Sequence, residues 1–167
     1  MKEILLLLIL AYTVITGYVI GIAGKHKARK SISDSDYWLT YPWKWIFEVV
    51  LLFCSIVLIT VSAYLDSKCM LLGAFFIGLV AVFSRFKKDE FMKWSHIISA
   101  TLGFSLLTLS FWVSFGMWYL TIGVAVVSLS ALALTWNNDC KTWNFEIALL
   151  FSIFFSVAYA ILTFGLV

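Results

Sequence analysis

Charge is scarce in this chain of 167 residues: Asp, Glu, Lys and Arg make up 13% of it, about half the share usual in soluble domains. Hydrophobic residues make up 63%, and there are too few polar groups to coat a water-solvated domain, so the composition describes a chain solvated by lipid. Proline occurs once, as Pro42, which leaves every apolar run free of a proline kink and suits the start of the run that follows it. Histidine occurs twice, with no HxxxH or HExxH spacing, so the usual helical zinc signatures are missing and neither metal nor cofactor is expected. The three cysteines, Cys54, Cys69 and Cys140, fall mid-run, at one membrane face and at the opposite face. No two of them come within bonding reach, and free thiols are expected. No internal repeat is visible, which argues against the duplicated halves of a secondary transporter. The deep parts of the apolar runs also lack Asp, Glu, Lys, Arg and His. Pumps, proton relays and voltage sensors place such groups inside the membrane, so this absence argues against all three.

What is present is a series of six apolar runs, near Ile4–Ala23, Trp45–Leu65, Cys69–Ser84, Ser95–Ser114, Met117–Trp136 and Phe145–Val167. Each is apolar all round, as a helix facing lipid should be. The chain is expected to be an all-α, polytopic membrane protein: a single antiparallel bundle of six transmembrane helices with no soluble domain. The third run is the shortest, and crosses if the bilayer thins slightly while Lys68 and Arg85 reach to the two interfaces. The first run imitates a signal peptide, but KHKARK follows it at once as a stop-transfer pattern, so it reads as a retained helix. The connections at Asp66 to Lys68 and at Phe115-Gly116 are short enough to make their flanking helices antiparallel neighbours. Small-xxx-small spacings at Gly17–Gly21, Ala74–Gly78 and Ser110–Ser114 predict close helix contacts inside the bundle, with pairing of two copies through the first helix as the alternative.

Ten of the 12 Lys and Arg residues lie in the first, third and fifth connections, leaving only Lys2 and Lys68 on the other side. The positive-inside rule then places those three connections in the cytoplasm and both termini outside, in what reads as a bacterial cytoplasmic membrane. Trp38, Trp43, Trp45, Trp94, Trp136 and Trp143 crowd the same interface, with Trp112 and Trp118 opposite.

The polar chemistry gathers at that basic face. Runs two, four and six begin there, near Glu48, His96 and Glu146, beside a loop holding Lys25, Lys27, Arg29, Lys30, Asp34 and Asp36. Helix N-termini favour anions, and the bases add to that preference. This points to a site for an anionic lipid headgroup made of Lys25, Lys27, Arg29, Lys30, Asp34, Glu48, His96 and Glu146. His96, Asp34 and Glu48 are the candidates for acid and base work if the protein modifies headgroups. Each residue also has a plainer reading. Glu48 stands four residues after Lys44, an i,i+4 pair; Glu146 and Asp34 suit helix starts; His96 suits an interface. A path lined by Thr13, Thr16, Ser55, Thr60, Ser62, Ser128 and Ser130 would make a small pore or exporter, although such hydroxyls more often bond a carbonyl one turn back or a neighbouring helix. The bases are explained by topology, so nucleic acid is not an expected partner. Membrane lipid, a second copy or another membrane protein is.

The order of features is similar to one known layout. A first run, a loop with Ile32-Ser33-Asp34, two further runs, and a fourth opening on His96 and continuing H-x-x-x-A-x-x-G-F through Ala100, Gly103 and Phe104 resembles the six-span DRAM/Frag/Sfk-like membrane family and its bacterial relatives. The resemblance implies a part in organising or remodelling membrane lipid rather than an established reaction, with Asp34 and His96 as the residues to watch. In the family's eukaryotic members the first loop is drawn on the non-cytoplasmic side, the reverse of the threading counted from the bases.

Overall fold

The computed structural model describes residues 2–23, 45–84, 90–137 and 141–164. All regular elements among them are helical. Helix α1 (Lys2–Gly17) runs into a π-helical stretch, Tyr18–Ala23, and is followed by α2 (Trp45–Tyr64), α3 (Lys68–Ser84), α4 (Glu90–Val113), α5 (Trp118–Leu134) and α6 (Lys141–Phe164). Four segments are long and apolar enough to cross a membrane: Lys2–Gly21, Trp45–Tyr64, Glu90–Val113 and Lys141–Phe164. Helices α3 and α5 are equally apolar but have 17 residues each, about 25 Å of helix.

The helices follow the apolar runs, with two differences. Helices α4 and α6 begin at Glu90 and Lys141, ahead of the expected Ser95 and Phe145. Hydropathy marks where the chain becomes apolar, whereas a helix extends into the polar interface wherever its first turn is satisfied. Glu90 in the first turn of α4 suits the positive end of the helix dipole. The second difference is the π stretch, whose wider turn buries Tyr18 and Val19 together and sets the Tyr18 ring 5.8 Å from Phe47 of α2.

A single core of buried side chains runs through the molecule. Helix α1 packs on α2 and α6, α2 on α3, α3 on α4, α4 on α5 and α6, and α5 on α6. Five helices thus close a ring through α1, α2, α3, α4 and α6, and α5 lies in the groove between α4 and α6. This peripheral place explains why Val124 and Ser128 are its only buried residues.

Lipid chains are as apolar as leucine, so burial alone gives helices in a bilayer little reason to associate. Here they are joined by side-chain donors reaching a neighbour's backbone carbonyl. Cys54 of α2 reaches Ala11 O of α1 at 3.8 Å, Ser55 of α2 reaches Ala74 O of α3 at 2.7 Å, and Cys69 of α3 reaches Leu106 O of α4 at 3.4 Å. Thr121 of α5 reaches Thr108 O of α4 at 2.9 Å. Such bonds contribute on average about 0.6 kcal/mol each in a membrane, so the set matters more than any member. Helix α6 is held to α1 by rings instead, Tyr12 lying 5.4 Å from Phe151 and 5.9 Å from Phe154. Cys54 and Cys69 are free thiols; Cys140 lies outside the described residues.

Helices α3 and α4 approach closely through glycine on both sides. A Cβ built on Gly73 would stand 2.9 Å from the backbone nitrogen of Leu107 and 3.1 Å from Gly103 O, and one on Gly103 would stand 2.8 Å from Ile77 Cδ1. Gly78 faces α2, where its added Cβ would meet Ser55 Oγ at 2.8 Å, so the Ala74–Gly78 spacing does mark a contact. The Gly17–Gly21 spacing does not. Both glycines are exposed and, among the described residues, have nothing within 4 Å of an added Cβ, because α2 and α6 engage the other faces of α1, through Ala11 and Tyr12 among others.

The turn between α2 and α3 is built by the backbone. Asp66 adopts φ 50°, its N–H bonds Ala63 O and the N–H of Ser67 bonds Ser62 O, the paired bonds of a Schellman end. Ser67 then caps α3, accepting from Met70 N at 3.2 Å while donating to Ser114 Oγ at 2.7 Å. The α4 end uses Gly116 at φ 67°, with its N–H on Trp112 O at 2.9 Å.

Candidate functional site at the helix starts

His96 lies on α4 about 9 Å along from its first residue and is 8% exposed. Its Nδ1 is 3.1 Å from Val80 O of α3. A carbonyl only accepts, so the imidazole carries a hydrogen on Nδ1 and donates it across the helix contact. Ser99 and Gly103 follow on the same buried face, and Ser84, near Val80 on α3, is also buried with its hydroxyl on Ala81 O at 2.7 Å. The α3–α4 contact is therefore polar at both ends, with His96, Ser99 and Ser84 at the basic end and Ser67, Cys69 and Ser114 at the other.

The other expected site residues divide into two groups. Glu48 is half-buried in the first turn of α2, where a carboxylate suits the helix dipole; it follows Phe47, whose ring lies against Tyr18. Glu146 is half-buried on α6, one turn past the buried Trp143. Since α6 starts at Lys141, Glu146 belongs to the second turn and is not an end cap. Lys25, Lys27, Arg29, Lys30 and Asp34, with Asp36 and Lys44, lie outside the described residues, and the suggested Lys44–Glu48 pair lies there with them.

Glu48 and His96 belong to helices that each pack on α3, which lies between them. Glu146 is on a helix that does pack against α4. Among the described residues no three of His, Cys, Asp and Glu form a group able to hold a metal ion.

The membrane hydroxyls are largely engaged. Thr13 bonds Ile9 O, Thr60 bonds Ile56 O and Ser62 bonds Ile59 O, each within a turn of its own helix, and Ser55 bonds across to α3. Thr16 Oγ1 and Ser128 Oγ, on helices α1 and α5, are buried without a hydrogen-bond partner among the described residues. One contact at the basic face went unforeseen: the Lys141 ammonium sits 4.8 Å from the Trp136 ring centroid, a cation–π contact. Its sequence signal is a lysine five residues after a tryptophan, which is too common to single out.

No family model, curated protein or solved structure matches this chain. The H-x-x-x-A-x-x-G-F stretch has an explanation in packing alone. His96 reaches Val80 and Gly103 admits Ile77, so both turn toward α3, while Ala100 and Phe104 are half-buried against the core.

These contacts predict how His96 responds to substitution. His96→Ala removes the interhelical donor and leaves space behind, lowering stability by about 1–2 kcal/mol. His96→Asn places an amide N–H near the position of Nδ1 and recovers most of that loss. Thermal melts of both variants in one detergent check this, and equal melting temperatures for the two would remove the Val80 bond from the account.

Proposed function

We propose that this chain is a non-catalytic integral membrane protein that binds and organises anionic lipid at its basic face. Its architecture in this reading is an antiparallel bundle of six membrane-crossing helices, with both termini on the non-cytoplasmic side of a bacterial cytoplasmic membrane. Contacts between consecutive helices support the alternation of direction. Along α3, Gly73, Ile77 and Val80 meet Leu107, Gly103 and His96 of α4, later residues of one helix meeting earlier residues of the other. Phe111 and Thr108 meet Met117 and Thr121 in the same sense. Helices α3 and α5 fall short of the roughly 30 Å hydrocarbon thickness by about 5 Å, a mismatch that local thinning and the reach of Lys68 accommodate.

The observation that carries the functional reading is how the polar groups are used. Ser55, Thr121, Cys54, Cys69 and His96 each bond a neighbouring helix's carbonyl, and Thr13, Thr60 and Ser62 bond a carbonyl of their own helix, so most of the described interior polar groups are used by the fold. The bases gather in the connections on one side, beside the starts of α2, α4 and α6, where an anionic headgroup meets both positive charge and helix N-termini.

Native mass spectrometry of the protein released from mild detergent tests this directly. The expected spectrum shows retained anionic lipid, reduced in the Asp34→Ala/His96→Asn double variant, which keeps the α3–α4 bond. A spectrum without lipid adducts for the unmodified protein overturns the proposal. Threading is tested with single cysteines in a background where Cys54, Cys69 and Cys140 are replaced by serine. A membrane-impermeant maleimide applied to intact cells labels Asp66→Cys and spares Lys87→Cys. Labelling of both positions would show that α3 does not cross, and the reverse pattern would invert the orientation.

A further inference from the structure

We draw no further inference here: the strongest candidate, the outward-facing stripe of Leu10, Thr13, Gly17 and Gly21 along α1 and the π stretch that continues it, is an unpartnered apolar face, and nothing in the structure shows what covers it.

Discussion

Gly73→Ala lowers thermal stability by about 1–3 kcal/mol, the usual cost of forcing a methyl group into a filled contact. At this chain length that corresponds to a fall in melting temperature of roughly 3–10 °C. The obstacle decides the size of the effect. An added Cβ at Gly73 meets the Leu107 backbone nitrogen at 2.9 Å, and a backbone atom moves only if the helix moves. At Gly103 the nearest atom is Ile77 Cδ1 at 2.8 Å, the end of a side chain that can rotate away, so Gly103→Ala costs less. Gly78→Ala is intermediate: it meets Ser55 Oγ, and that hydroxyl cannot withdraw without weakening its 2.7 Å bond to Ala74 O. Gly17→Ala and Gly21→Ala meet nothing among the described residues, and alanine's helix preference leaves them unchanged or slightly more stable. Melts followed by size-exclusion chromatography would rank the five variants. If Gly73→Ala and Gly17→Ala melt together, the close α3–α4 contact is wrong.

That ranking shows what the sequence conveys and what it withholds. Gly17–Gly21 and Ala74–Gly78 have the same spacing, yet one faces outward and the other faces α2. Spacing says that a helix has a smooth strip; only the arrangement of the other helices says whether anything lies against it. Gly73 and Gly103 belong to different helices, so the contact between them leaves no local pattern. The apolar runs, by contrast, were legible because a helix in lipid must be apolar for most of its length. Their ends were less so, since Glu90 to Trp94 and Lys141 to Asn144, where charged, polar and aromatic residues break the apolar run, are helical. The π stretch had no signal, because Tyr18 to Ala23 has the composition of any membrane helix.

The site was legible in kind and not in detail. His96 stands out in the sequence as a rare ionisable residue, and it is buried in the second turn of α4. Its Val80 partner was hidden, because every residue supplies a backbone carbonyl and the sequence does not mark which one a side chain will reach. The same holds for Ser55: a bond to its own or a neighbouring helix is expected of it, but not that Ala74 is the acceptor. Cys54 and Cys69 carry no such signal, yet each meets a neighbouring helix.

Replacing Lys25, Lys27, Arg29 and Lys30 together with glutamine removes most of the protein's preference for anionic lipid while leaving its threading unchanged. Each base near an anionic surface contributes about 1 kcal/mol, so four give an upper bound of about 4 kcal/mol, or roughly a thousandfold in affinity. The threading survives because Lys44, Arg85, Lys87, Lys88, Lys93 and Lys141 still outweigh Lys2 and Lys68. The measurement is the ratio of anionic to zwitterionic lipid retained from bilayers of known composition, taken at low salt and at 1 M salt. Screening at 1 M cuts the Debye length to about 3 Å, so the unmodified protein should fall toward the level of the quadruple variant. Lys68→Gln is the control for charge on the opposite side, and it leaves the ratio where it was. Equal enrichment in the unmodified protein and the quadruple variant at low salt would reduce the basic loop to a topology signal. Enrichment lost from both the quadruple variant and Lys68→Gln would make the attraction a property of net charge, with no preferred face.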